Sequence, residues 1–364
     1  MNVQSRPRSD SGCRLHDNLT TRRATVHDVA RKAGVSLATV DRVLNGRPGV
    51  RPETAEKVLD AIRDLDFSRD LSASLLARAR DIRMLFLIPG GGNEFMANLA
   101  LGVAAEARAV SAQRLHLSVE PVRPLDPQDL AARLATLDPA GCDCVAVVAT
   151  EHPAVTAAVE AASRRGIAVI TLVSDLPGSH RRAFIGIDNV AAGRTAAALL
   201  GRFAPRGGKL AVIAGSLGLR DHRQRLDGFS AVIAAEFAGL SVIGPLEGHD
   251  DSAETEALAA KLLREHPDLS GLYNLGAGNR GLIAALAASG RAAAVRVIAH
   301  ELTAPTVAGL RSGAIDVVLD QNPAGEIRAA VAAARALVFD PESRAGAAAD
   351  KPIEIGIFLR DNLA

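Results

Sequence analysis

Residues 26–44 read VHDVARKAGVSLATVDRVL, a stretch patterned as two short helices joined by a tight turn. Thr25 and Asp28 stand in capping-box relation: a hydroxyl that accepts from the third helical amide, and an acid near the positive end of the helix dipole. A first helix is therefore expected from about Val26 to Ala33, stopped at Gly34, where a left-handed backbone costs least. Ser36 caps a second helix expected to reach Asn45 and close at Gly46. A third begins at Pro52, whose fixed φ suits a first turn, and runs through Leu65 with Val58, Leu59, Ile62 and Leu65 as its apolar stripe. Ala30 is small enough for two helices to cross closely, and Val35, Val40 and Val43 form the buried side of the second helix. That leaves Leu37, Ala38, Asp41 and Arg42 facing outward. Such a helix pair has the form of a DNA-reading helix-turn-helix, in which an arginine can make paired hydrogen bonds to guanine in the major groove.

Outward from this motif the chain changes character. Residues 1–23 carry scattered Arg, Ser and Gly without periodicity and are expected to be a disordered arm. Residues 1–80 hold 15 Lys and Arg against 10 Asp and Glu, a net +5, while the remainder holds 27 against 31, a net −4. The basic head suits a polyanionic partner and the acidic body does not. After Phe67 comes LSASLLARAR, 71–80, long enough for only two or three turns. From Ile82 onward short apolar runs alternate with Ala-rich helical stretches: IRMLFLI, CVAVVA, IAVITLV, AFIGI, KLAVIAG, GLYNLG, VRVIA and AIDVVL. Strands spaced by helices predict βαβ units with parallel sheets, and about ten strands divide more naturally into two doubly wound lobes than into one sheet.

Several functions are disfavoured by what the chain lacks. Its 48% apolar and 23% charged residues describe a globular protein, and no apolar run reaches the roughly 18 residues of a membrane span. The polar N-terminus has no signal-peptide pattern, so a cytoplasmic location is expected. Cys13, Cys142 and Cys144 form no CxxC, the nine histidines no HExxH, and neither a metal nor a cofactor is expected. Gly90-Gly91-Gly92-Asn93-Glu94-Phe95 fails as a dinucleotide fingerprint because Phe95 stands at the third glycine. Ala214-Gly215-Ser216-Leu217-Gly218 fails as a nucleophile elbow because Ala214 stands at the first. The expectation is a protein that is not an enzyme.

The segment ATVHDVARKAGVSLATVDRVLNG resembles the head-piece of the lactose-repressor (LacI/GalR) family of transcriptional regulators. The resemblance implies an all-α helix-turn-helix head followed by a two-lobed, periplasmic-binding-protein-like α/β body. The expected divisions are 1–23 for the arm, 24–69 for the DNA-binding domain, 70–80 for a hinge helix and linker, and 81–364 for the effector-binding and dimerisation domain. Positions matching Leu37, Ala38 and Arg42 would read operator bases, with Thr25, Ser36, Thr39 and Asn45 helping to hold the backbone. Asp41 replaces the family's usual serine; it could accept from a cytosine amino group, orient Arg42, or serve only as a cap or surface acid. Leu76 matches the leucine that hinge helices push into the minor groove.

In the body, IGIDNVAAGRTAAALL (185–200), RLDGF (225–229), VIAHEL (297–302) and the crossover DQNP (320–323) are similar to the family's effector sensor. By matched position Arg225 would be the principal ligand arginine and Glu301 would stand where an aspartate usually accepts from sugar hydroxyls. Asn93, Phe95, Glu151, Asp188 and Gln321 fall at strand ends or crossovers that would line the cleft. LGAGNRG (275–281) departs from the family's Asn-Asp pair, and the chain has no Trp and one Tyr, Tyr273, leaving Phe95 as the candidate to stack on a sugar ring. The implied partners are double-stranded operator DNA, a small sugar-like effector and a second copy of the chain, with tetramers left open and no membrane. The rival reading is a cytoplasmic or exported solute-binding protein without a regulatory role.

Overall fold

The computed structural model describes residues 24–44, 49–65, 81–339 and 352–363. The chain divides into two compact units, 1–74 and 75–364.

Within the first unit, three helices enclose a small core: α1 (Val26–Ala33), α2 (Leu37–Leu44) and α3 (Pro52–Asp64). The capping box forms, with the Asp28 amide donating to Thr25 Oγ1 at 3.3 Å and the Thr25 amide donating to Asp28 Oδ2 at 2.9 Å. Gly34 takes φ 65°, and Ser36 Oγ accepts from the Thr39 amide at the start of α2. Val29, Ala30, Val40, Val58 and Ala61 form the centre, with Val26, Val35, Val43, Ile62 and Leu65 packed around them. Leu59 departs from the expected stripe and is 48% exposed. At about 100° per residue, Val58, Ala61, Ile62 and Leu65 already share one face, and Leu59 points a quarter-turn away from it.

The second unit is two parallel-dominated sheets, each covered by helices. The first lobe holds β1 (Ile82–Pro89), α4 (Glu94–Val110), β2 (Leu115–Val122), α5 (Pro127–Ala135), β3 (Cys144–Val147), α6 (Pro153–Arg164), β4 (Ala168–Leu172) and β5 (Ala183–Ile185). Its sheet order is β2-β1-β3-β4-β5, parallel throughout. The chain then crosses to the second lobe: α7 (Asn189–Phe203), β6 (Gly208–Ala214), α8 (Arg220–Glu236), β7 (Leu240–Glu247), α9 (Ser252–Glu265), β8 (Leu269–Asn274), α10 (Asn279–Ser289), β9 (Arg296–His300), α11 (Ala304–Ser312) and β10 (Val317–Asp320). At Gln321 it returns, and α12 (Pro323–Phe339) packs Ile327, Ala330, Val331, Ala334 and Leu337 into the first lobe's core. A last strand, β11 (Gly356–Phe358), pairs antiparallel with β10 and completes the order β11-β10-β9-β8-β6-β7.

Where α7 crosses α8 the two backbones touch. A β-carbon on Gly193 would run into the Arg225 carbonyl, and one on Gly228 into that of Val190. Glycine at both places lets α8 lie close enough for the buried Arg225 to reach Asn189 at the start of α7.

Candidate functional site

Two surfaces carry chemistry, one in each unit. On the head, Val40 turns fully inward while Ser36, Leu37, Ala38, Asp41 and Arg42 are exposed together along α2 and its cap. Thr39 is half-buried, and its hydroxyl lies 2.9 Å from Ser36 Oγ. Thr25 spends its hydroxyl on the capping box, donating to Asp28 Oδ2 at 2.6 Å, so its structural role is to start α1. Asn45 and Leu76 lie outside the described residues, as do the arm and the hinge segment.

In the body, the carboxyl ends of both sheets face each other, the place where open α/β sheets hold ligands. An outer chamber of about 270 Å³ is lined by Pro89, Asn93, Thr150, Leu219, Asp250 and Ser252 among others. It shares Asn93, Met96, Val148, Leu219 and Asp250 with a narrow inner chamber of about 30 Å³, which adds Phe95, Ser174, Asp221, His222, Arg225, Glu301 and Gln321. Positive φ is uncommon for residues with a side chain, and here Val173 (65°), His249 (50°), Asp250 (59°) and Glu301 (70°) all adopt it around the cleft. At Glu301 the turn is held by its amide donating to Leu319 O and by Thr306 Oγ1 donating to its carbonyl. Strained backbone kept by such contacts is a feature of ligand clamps.

Arg225 is the hub of the inner chamber. Nε donates to Asn189 Oδ1 and one terminal nitrogen donates to Leu275 O, both at 2.8 Å. The other terminal nitrogen has no hydrogen-bond partner; it lies 3.9 Å from Asp221 Oδ2 and 4.0 Å from Glu301 Oε1. Gln321 Nε2 donates to Glu301 Oε1 at 2.6 Å. Asp221 Oδ1, Glu301 Oε2, Gln321 Oε1 and Ser174 Oγ are buried without partners. Buried polar atoms are nearly always paired, so this cluster of orphans between two lobes marks the candidate ligand surface. Behind them Tyr273 OH and His300 Nε2 sit 2.7 Å apart, and Asn279 Nδ2 donates to the His300 carbonyl.

Burial raises the Glu301 carboxyl from its ordinary value of 4.5 to about 8, against the pull of Arg225 and with Asp320 adding to the rise. Burial pushes Glu326, on the first turn of α12, well up too, and the nearby Glu301 adds to it. Both acids therefore hold a proton more tightly in the fold than in the unfolded chain. Their favourable contribution is complete below about pH 4.5 and the Glu301 part is lost as pH rises through about 8. Melting temperatures of wild type and Glu301→Gln should accordingly diverge across that window, the variant losing less stability as pH rises; two parallel curves would show that Glu301 is ionised throughout.

Of the sequence-derived cleft residues, Asn93, Phe95, Arg225, Glu301 and Gln321 come together. Phe95 also belongs to the first lobe's hydrophobic core and is 5% exposed, so little of its ring is open to stack on a sugar. Glu151 and Asp188 are not brought to the chamber. Glu151 pairs instead with Arg220 and Arg223 of α8, an ion pair between the lobes, because the turn after β3 carries it past the cleft. Asp188 is exposed and caps α7, accepting from the Ala191 amide at 2.9 Å, as an acid just before a helix is placed to do. Sequence reading missed Ser174, Asp221, His222 and Asp250. Asp250 bears on LGAGNRG: its Oδ1 accepts from the Ala277 amide at 2.7 Å, and a β-carbon at Gly276 would crowd it. An acid from the loop after β7 thus stands against the segment that lacks one. Asp221 carried a signal in being one helical turn before Arg225.

Residues 25–70 match the model for bacterial regulatory proteins of the lacI family, and residues 84–340 match the model for a periplasmic binding protein domain. The chain is 44% identical over 79 residues to catabolite control protein A of Priestia megaterium, covering 22% of this chain and 24% of that protein. It is 41% identical over 78 residues to the HTH-type transcriptional regulator RegA of Clostridium saccharobutylicum, covering 21% and 24%. These alignments span about a quarter of the relatives' length. Among solved structures, a solute-binding protein from Burkholderia graminis in complex with D-arabinose superposes with TM-score 0.71 at 23% identity, covering 78% of this chain and 97% of that one. GanP, a glucose-galactose binding protein from Geobacillus stearothermophilus, superposes with TM-score 0.67 at 20% identity, covering 78% and 99%. Among the described residues no helix is long and apolar enough to cross a membrane. With the match covering most of its length, the chain belongs to the periplasmic binding protein domain family, and its three-helix head is a helix-turn-helix domain of the lacI family of bacterial regulatory proteins.

Proposed function

We propose that this chain is an effector-controlled transcriptional repressor, working in the cytoplasm as a homodimer on a pseudopalindromic operator. The observation that carries the reading is one chain joining an exposed α2 face of Leu37, Ala38, Asp41 and Arg42 to a two-lobed cleft whose buried polar atoms lack partners. Asn93, Arg225, Glu301 and Gln321 are its effector-binding residues, with Phe95 as an apolar floor. A sugar-like ligand is supported by the sugars named with the similar solute-binding proteins, and a regulatory role by the named regulators that match the head. An effector that binds one arrangement of the lobes better than another shifts their balance, and only that difference reaches the DNA. The rival solute-binding reading leaves the head without a purpose.

Arg42 tests the DNA side. Losing a paired contact to a base should cost about 1 to 3 kcal/mol on the best operator and relax preference at one position. Mobility-shift titrations of wild type and Arg42→Ala on a selected operator and its single-base variants read both quantities. If the variant weakens every sequence equally, Arg42 touches phosphate only.

A further inference from the structure

We propose that the effector is a hydroxylated amine, an aminated sugar or cyclitol, whose ammonium enters the inner chamber. This rests on reading the cleft as the effector site and adds the ligand's charge. The inner chamber sets three acids, Asp221, Asp250 and Glu301, around a single guanidinium, that of Arg225. Asp250 has hydrogen-bond donors from Asn93 and from the Ala277 amide. Asp221 and Glu301 are less fully supplied: each keeps one buried oxygen without a partner, although Glu301 Oε1 accepts from Gln321. The Arg225 guanidinium is shared between them, 3.9 Å from one and 4.0 Å from the other, and the His222 ring lies 3.8 Å from Asp221 Oδ2.

The other orphans point the same way. Gln321 has already given one amide hydrogen to Glu301, and its carbonyl oxygen, an acceptor, is buried without a partner. Ser174 Oγ can act either way. Arg225 offers a charged donor that is already flanked by two acids. His300 adds no positive charge, since burial and then Arg225 hold its pKa well below the ordinary value. A ligand carboxylate or phosphate placed here would meet acceptors on most sides, whereas an ammonium brings up to three donors and a charge that favours ionised Glu301, whose proton passes to solvent on binding.

Size agrees with this assignment. The inner chamber, about 30 Å³, has room for a group close to one water in size, while the outer chamber, about 270 Å³, can take a sugar ring beside Asn93, Thr150 and Asp250. Among the described residues no three His, Cys, Asp or Glu groups converge closely enough to hold a metal ion.

The test uses the full-length protein and matched hexose sets: glucose, glucosamine and glucuronate, with the galactose and mannose counterparts. Titration calorimetry at a pH where the amine is protonated should give, for the hexose that fits, about tenfold tighter binding of the amine than of the neutral sugar, and no detectable binding of the acid. Asp221→Asn and Glu301→Gln keep the shape of the chamber and should shrink the amine preference to about twofold or less, with residual binding of the neutral sugar showing that the body is folded. An acid that binds better than its neutral counterpart, or a neutral sugar that matches its amine, overturns the proposal and leaves the sugar-sensor reading standing. An amine preference unaltered in both variants also overturns it. If no member of any set binds, the sugar-sensor reading fails with it.

Discussion

Replacing Arg225 with alanine is expected to cost about 3 to 5 kcal/mol of stability in the body and, separately, about 2 to 5 kcal/mol of effector binding. The side chain is 2% exposed, and its removal strands Asn189 Oδ1 and the Leu275 carbonyl without the donors they now have. It also removes the guanidinium shared by Asp221 and Glu301, leaving two buried acids facing each other across the vacated volume. The binding loss has a different origin, because the terminal nitrogen that has no hydrogen-bond partner in the protein is the one open to a ligand hydroxyl. Thermal melts give the first quantity, and calorimetry with the best-binding hexose of the matched sets gives the second. Operator binding without effector should persist below the lowered melting temperature, since the head has its own core. A variant that melts and binds sugar like wild type would place the pocket elsewhere.

Gly193→Ala is expected to be among the most damaging single-carbon changes in the body. The atoms its β-carbon would strike are backbone, the Arg225 carbonyl and the Phe229 amide, so no rotamer change can relieve the clash and α7 and α8 must move apart. Overpacking of this kind costs about 3 kcal/mol at the upper end of the usual range, which lowers Tm by about 6 °C or more for a body of this size. Displacing α8 also displaces Arg225, so effector affinity should fall in parallel although Gly193 is not among the residues lining the cleft. Gly290→Ala is the control: its φ of 67° strains any side chain, but nothing lies within 4 Å of the new carbon. That variant should lose only about 1 kcal/mol and bind sugar normally. Equal destabilisation by the two would mean that backbone conformation, not helix contact, sets the cost at Gly193.

The head was legible because its information is local. A capping hydroxyl, a left-handed glycine and the spacing of Val35, Val40 and Val43 act within a few residues, and the helix bounds follow from them. The eight apolar runs of the body likewise became strands, seven of them β1, β3, β4, β6, β8, β9 and β10, which lie inside or near the middle of their sheets and are buried on both faces. The strands left unread, β2, β7 and β11, are sheet edges. An edge strand exposes one face and one row of backbone groups, so it needs no continuous apolar run and blends with the loops.

The same division holds for the site. Arg225, Glu301 and Gln321 could be named from sequence because each sits in a short recognisable segment. Ser174, His222 and Asp250 could not, since their role depends on which loop ends meet when two sheets face each other, and nothing near them in the chain records that meeting; Asp221 offered only its place one helical turn before Arg225. Asp188 and Glu151 show the converse: both sit at the right strand ends, yet one faces a helix amide and the other a pair of arginines. Sequence alone determined the head's helices, the buried strands of the body, their order and the residue types offered to a ligand. The tertiary fold decided which acids share one arginine, because burial and distance between remote segments, rather than spacing along the chain, set how buried charges interact.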